Sequence, residues 1–231
     1  MRPGRPWAEG PLLPAGWRPD REDPRDTSDD HHWVVVDPAG GIRLADGTTI
    51  TLRPLLPGDG NLLAAGFDRL SDRSRYRRFL SPVPRLTPSM LSFLTSLDGI
   101  NHRAWGALID EPGGPVGAGV VRWVRSRKDP AVADMAVTVI DDYQGRGLGA
   151  LLQDVAVIDA FACGIERFEG VVLAENIASR RMLARGGARL RAEGGGVLAF
   201  TLELRPRMDR LRGSPISIVV ATQNRRAELT A

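Results

Sequence analysis

A chain of 231 residues with one lysine and one cysteine is constrained first by what it lacks. With Cys163 alone, no disulfide can form within the chain, which fits a reducing compartment and predicts a cytoplasmic setting. Cys163 follows Phe161 and Ala162 in an apolar helical pattern, and reads as a small core residue and not as a reactive thiol. The run of about 18 apolar residues that a membrane span needs is missing, so no membrane partner is expected. The N-terminus also lacks the apolar segment of a signal peptide. Histidines number three. His31 and His32 sit together in a polar segment, too few ligands for a metal site, so no metal is expected. His102 opens an apolar strand pattern and reads as a packing residue. Because Lys128 is the only lysine, the basic charge is guanidinium. Arginine does not titrate in the accessible range. A formal net charge of only +3 therefore gives a pI of about 9.7. The arginines are scattered apart from a cluster at Arg73, Arg75, Arg77 and Arg78, which is read as a face for an acidic partner surface. No nucleic-acid-binding motif accompanies them, so nucleic acid is not expected as a partner.

What remains is the composition of an ordinary globular domain, 42% hydrophobic and 26% charged. Residues 1–40 are rich in Pro, Gly, Arg and Asp without a sustained period and read as a disordered tail, with a short strand possible at 34–36. Residues 48–53 alternate and are β-branched, a strand that Pro54 and Pro57 end. Helices are expected at 59–70, capped by Asp59, at 72–80, and from Thr87-Pro88 to 97. Strands follow at 102–110, 115–125 and 131–140. A helix at 147–162 carries Leu148, Leu151, Leu152, Val155 and Ile158. Next come a strand at 168–173, a helix at 177–185 closed by Gly186-Gly187, and strands at 188–192 and 197–204. The domain is placed at 46–205, and residues 206–231 read as a C-terminal tail in which 216–221 can add a strand.

The most informative stretch is Gln144-Gly145-Arg146-Gly147-Leu148-Gly149, followed by Ala150, between a strand and a helix. Glycines let the backbone approach an anion. The first helical N–H groups have no internal partner, and the helix dipole adds positive potential. Together they predict a pyrophosphate site, with Arg146 adding a charge-assisted contact. A Rossmann fingerprint is disfavoured because Asp141 to Gln144 separate the glycines from their strand. The acid expected about 20 residues on falls at Glu166 to Glu169, before the next strand. No lysine follows the glycines, which excludes a Walker A loop.

With these residues the chain resembles the GNAT acetyltransferase superfamily, whose acyl-CoA motif Gln144, Gly147 and Gly149 match. The resemblance covers about residues 48–204. It implies an α/β fold with a mixed, mostly antiparallel sheet, splayed between the fourth and fifth strands where CoA enters. It further implies acetyl-CoA as the acyl donor. Val137, Thr138 and Val139 would pair with the pantetheine and hold the acyl carbonyl, and Asn176 would contact the CoA arm. A finer similarity is to the GNAT domain of bacterial, notably actinobacterial, protein lysine acetyltransferases. It rests on Leu52-Arg53-Pro54, on the stretch from Leu70 to Phe79, on Ala133 to Val139, and on Gly164 to Phe168. Some of those enzymes carry a cyclic-nucleotide domain; the 47 residues ahead of the first GNAT strand leave no room for one, so direct cyclic-AMP control is not expected here.

An amine with a pKa near 10.4 is almost wholly protonated at pH 7, so transfer needs a base. The resemblance puts that role on Asp134, one methylene shorter than the family's glutamate and so expected to act through water. Glu175 is a second candidate. The tyrosine that many family members use to protonate the leaving thiolate has no counterpart on the helix after Asn176, since Tyr76 and Tyr143 are the only tyrosines. The expected activity is acetyl transfer from acetyl-CoA to an amine, with a protein lysine as acceptor. The alternatives are a small-molecule amine acetyltransferase and a catalytically weak CoA-binding regulatory module.

Overall fold

The computed structural model describes residues 32–36, 42–44, 46–211 and 218–222. In chain order these form β1 (His32–Val36), β2 (Ile42–Arg43), β3 (Thr49–Pro54), α1 (Gly60–Asp68), α2 (Asp72–Phe79), α3 (Pro88–Thr95), β4 (His102–Glu111), β5 (Gly114–Arg125) and β6 (Val132–Val139). Then come α4 (Leu148–Ala162), β7 (Arg167–Leu173), α5 (Ile177–Gly186), β8 (Arg189–Gly194), β9 (Val197–Glu203), α6 (Leu204–Leu211) and β10 (Ile218–Thr222). Eight strands make one sheet in the order β2-β3-β4-β5-β6-β7-β9-β8. Its pairs are antiparallel except β6 with β7. The expected mixed, mostly antiparallel α/β architecture is therefore present.

The sheet opens at one place. β6 keeps its antiparallel partner β5 as far as Val139 opposite Gly119, while its parallel pairing with β7 covers only Val132 to Asp134. Past Asp134 the two strands part. This is the splay between the fourth and fifth strands of the sequence reading, and it leaves backbone groups on that edge of β6 without a strand partner.

α4 packs on one face of the sheet. It is buried almost all round, because the sheet lies on one side and α5 and α6 on the others. Leu148, Leu152 and Val155 join Trp105, Trp123, Phe168 and Leu202 in the main core. α1 to α3 cover the opposite face with a smaller cluster of Phe67, Leu70, Phe79, Met90 and Ile140. Cys163 packs at the edge of the main core, where burial pushes its thiol pKa up, as a structural cysteine should.

Two acids on the apolar helix α4 have structural partners. Asp159 is fully buried and accepts from Arg103 Nε at 3.0 Å, Arg103 Nη2 at 2.6 Å and Trp123 Nε1 at 2.8 Å. Asp159→Ala would strand a buried guanidinium. We expect it to cost roughly 3–5 kcal/mol, read as a large fall in Tm in a thermal melt; a near-native Tm would show that the cation finds water.

The structure differs from expectation at two places. The chain does not end its order at Arg205: α6 follows, anchored by Leu204 in the core and by Arg207 Nε donating to Asp154 at 2.9 Å. The strands allowed at 34–36 and 216–221 are present as β1 and β10, which pair antiparallel from His32 opposite Thr222 to Val36 opposite Ile218. Most of residues 1–40 lie outside the described residues. Asp59 does not cap α1: its carboxylate accepts from Arg53 Nη1 at 2.6 Å, Arg53 Nη2 at 2.7 Å and the Leu56 amide at 2.7 Å. A guanidinium within reach outbids a helix N–H for a carboxylate.

Candidate active site

The turn after β6 is built to expose backbone. Asp141–Tyr143 forms a single 3-10 turn, Gln144 is extended, and Gly145 and Gly147 adopt φ of +76° and +92°. Those angles strain any residue with a Cβ. A Cβ placed on either glycine would meet no protein atom, so the space beside them is open. Gly147 is the N-cap of α4, which starts with unpaired N–H groups and no side-chain cap. At Gly149 a Cβ would lie 3.3 Å from Met182 Sδ, so this glycine sets the close approach of α4 and α5.

Asp141 ties the turn to α2. It accepts from the Ser71 amide at 3.0 Å, Ser74 Oγ at 2.6 Å and Gln144 Nε2 at 2.7 Å. Gln144 Nε2 also reaches the Val139 carbonyl at 3.0 Å, closing the end of β6. Asp142 pairs with Arg69 at 2.6 Å. Together the two acids hold the turn against α2 and the end of α1.

A cleft of about 400 Å³ runs from this turn along the splay. Its walls include Asp134, Val137, Thr138, Val139, Gln144, Gly145, Gly147, Gly149, Ala150 and Asn176. Two of the expected residues turn their side chains elsewhere. Leu148 is buried in the core, and Arg146 Nη1 donates to Asp46 at 3.0 Å while its guanidinium lies over Tyr143. Arg146 is engaged by that acid and ring and is not among the residues that line the cleft. Asn176 Oδ1 accepts from the Ser179 amide at 3.2 Å and so caps α5 as well as lining the cleft.

Residues that sequence reasoning missed also line the cleft: Arg77 from α2, and Arg181 and Arg185 from α5. Arg181 and Arg185 are exposed and one helical turn apart, and that i,i+4 spacing was the available signal. The Arg73–Arg78 cluster is not an open basic face. Arg75 donates to the Pro84 and Asp68 carbonyls and lies over Phe67, while Arg73 and Arg77 approach Glu175 at 3.7 and 3.5 Å. Glu175 lies at the surface between those two cations. Tyr143 Oη donates to Glu111 at 3.0 Å, and neither tyrosine lines the cleft.

Alternation along β6 sends Met135, Val137 and Val139 toward the main core and Asp134, Ala136 and Thr138 to the face covered by α1 to α3. Asp134 is exposed by area because the cleft opens onto it, yet protein surrounds that cleft. Burial pushes its carboxyl up to about 6, and the charge of Arg78 pulls the other way. Across the sheet Arg122 is buried, its Nη1 at 2.8 Å from His102 Nε2 and its Nη2 donating to the Leu94 carbonyl at 3.1 Å. His102, stacked on Phe93, is pushed down to about 4 by burial and by Arg122, so it is neutral and acts in packing as expected.

A strand that parts from its neighbour, a glycine turn opening a helix, and a carboxylate on the last residue paired before the strands part form one cleft. That arrangement agrees with the comparisons. Residues 49–189 match the family described as the acetyltransferase (GNAT) domain. Acetyltransferase Pat of Mycolicibacterium smegmatis is 36% identical over 169 residues, 71% of this chain and 49% of that protein. An acetyltransferase of Pseudomonas aeruginosa is 32% identical over 149 residues, 64% of this chain and 76% of that protein. Among solved structures, the GNAT domain of S. lividans PAT superposes with a TM-score of 0.64 at 27% identity, covering 75% of this chain and 97% of that one. The chain thus spans about half the length of its mycobacterial relative. Among the described residues, no helix is long and apolar enough to cross a membrane and no group of side chains is arranged to hold a metal. The chain belongs to the GNAT family of acetyltransferases.

Proposed function

We propose that this chain moves the acetyl group of acetyl-CoA to the side-chain amine of a protein lysine, in the cytoplasm, with Asp134 as the base. The observation that carries this reading is the position of Asp134. It stands exposed in the cleft on the last β6 residue paired with β7, about 17 Å of strand from Val139 and the glycine turn. One extended ligand can therefore span both.

Acetyl-CoA supplies a thioester-activated acyl group and a thiol leaving group. The chain supplies the rest. The N–H groups at the start of α4, behind Gly145 and Gly147, receive the pyrophosphate. The unpaired edge of β6 from Val137 to Val139 holds the pantetheine, and a free N–H there faces the acyl oxygen as negative charge grows on it. Asp134 accepts the amine proton, through water because its arm is short. The amine nitrogen then bonds to the acyl carbon as the carbon–sulfur bond breaks. With both tyrosines outside the cleft, the leaving thiolate is protonated from water, which a thiol pKa near 8.5 allows. Arg77, Arg181 and Arg185 line the cleft where phosphate charge would lie, and join the CoA-binding set. The finer similarity to lysine acetyltransferases in the stretch from Leu70 to Phe79 and in β6 supports the protein acceptor, since those stretches form the wall around Asp134.

The acceptor class is tested by offering labelled acetyl-CoA and the protein to a cell extract and, separately, to a panel of free amines. Lysine labelling of discrete proteins is expected. Saturable turnover of a polyamine or aminoglycoside with no labelled protein would replace the acceptor while leaving the enzyme class intact. A second prediction concerns the missed arginines: Arg181→Gln with Arg185→Gln should raise the KM for acetyl-CoA several-fold, and the loss should shrink at high salt as the Debye length falls below about 10 Å. A salt-independent KM equal to wild type would take α5 out of the phosphate contact.

A further inference from the structure

Behind the acyl end of the cleft lies a second cavity, of about 80 Å³, between the sheet and α1 to α3. Thr138, Arg78 and Leu70 line both cavities, so the two meet there. Apolar side chains make most of the wall, but the guanidinium groups of Arg78 and Arg122 also face it. Among the described residues neither has a carboxylate partner in an ion pair. Arg122, 4% exposed, is held only by the neutral His102 ring and one carbonyl. Arg78 Nη1 is buried and makes no hydrogen bond. The third arginine of the wall, Arg53, is neutralised by Asp59. Asp134 is the nearby acid and bears on Arg78, so two cations face one anion. Burial and mutual repulsion push Arg122 down to about 9, which marks the uncompensated charge. A buried cation without a counter-ion is costly, and a carboxylate is the group whose geometry matches a guanidinium fork.

We propose that this cavity binds a carboxylate on a short apolar stem, carried either as the far end of a dicarboxylic acyl group on CoA or as the acid group of the amine acceptor. The cavity has room for about five to eight atoms at roughly 10–15 Å³ of such volume each. That suits a methylene or two and a carboxylate, and excludes a fatty chain. The proposal rests on the reading of the cleft as an acetyl-CoA site.

Two matched pairs of probes separate the sources. Succinyl-CoA and butyryl-CoA differ at the far end of the acyl chain, and their binding to the full chain is read by calorimetry. The compounds 4-aminobutyrate and butylamine differ at the far end of the acceptor, and their turnover with acetyl-CoA is read as kcat/KM. In one pair the carboxylate member should be favoured about tenfold or more. A difference in the first pair assigns the carboxylate to the donor, and in the second to the acceptor. Arg122→Gln should bring that pair to parity and leave acetyl-CoA affinity unchanged. If that variant unfolds, Arg122→Lys, which keeps the charge and loses the fork, should reduce the preference, and the wild-type pairs decide alone in any case. Parity in both pairs, with acetyl-CoA still bound, overturns the carboxylate pocket and spares the proposed function. Failure of acetyl-CoA itself to bind removes both.

Discussion

Gly147→Val should abolish measurable acetyl-CoA binding while the protein stays folded. Gly147 sits at φ +92°, where a β-branched residue is strained, and relaxing that strain would turn the first N–H groups of α4 away from the cleft. No protein atom lies within 4 Å of the position its Cβ would take, so the new side chain meets no internal clash. It projects instead into the space where the pyrophosphate is proposed to lie. Both effects act on the ligand more than on the core. The core of α4 rests on Leu148, Leu152 and Val155, which this change does not touch. Calorimetry with acetyl-CoA on the folded variant checks the loss. An affinity within a few-fold of wild type would move the anion site away from this turn. Gly147→Ala should fall between, because its methyl is small but its φ is still unfavourable.

Much of this turn was legible, for local reasons. Glycines between a strand and an apolar helix have few other uses, and the period of two along Val132 to Val139 against helical spacing from Leu148 fixed the elements on either side. The order and extent of β3 to β9 follow from the same alternation, punctuated by Pro57, Gly113-Gly114 and Gly186-Gly187. What stayed hidden was the set of partners distant in sequence. Helix spacing shows Arg73, Arg75, Arg77 and Arg78 as one basic surface. It cannot show that Pro84 and Asp68 offer carbonyls to Arg75, or that Arg78 turns inward toward Asp134 on another element. Arg146 beside the glycines invites a phosphate contact until Asp46, a hundred residues away, is placed next to it. α6 contains Pro206 and only three apolar residues, yet Leu204, Met208 and Leu211 stand at i, i+4 and i+7 and pack on the main core, and Arg207 on Asp154 of α4 adds a tertiary contact that the sequence does not show. Asp154 and Asp159 interrupt an apolar helix face, and only their buried arginine partners explain them.

Asp134→Ala should lower kcat by roughly 10²–10⁴-fold and leave acetyl-CoA affinity nearly intact, because the carboxylate faces the amine and not the phosphates. The pH profile carries the sharper test. Burial holds the Asp134 carboxyl up, to about 6, so below that pH it is protonated and idle as a base, and above it the ionised form accepts a proton. Wild-type kcat/KM should therefore rise through a limb near pH 6, ahead of the alkaline rise from the amine itself. The alanine variant should lose the first limb and keep the second. Stability moves the other way. A carboxyl whose pKa is raised by folding binds more protons folded than unfolded between its ordinary value and about 6, so its contribution falls as pH rises through that window. Removing it should therefore raise the Tm at neutral pH, where removal of a structural acid would lower it. Asp134→Asn keeps the shape and loses the charge, and should match alanine in rate. Asp134→Glu restores the family's longer arm and should retain activity, or raise it if direct contact replaces the water. Wild-type turnover in the alanine variant, or a pH 6 limb that survives in it, would pass the role of base to another group in the cleft.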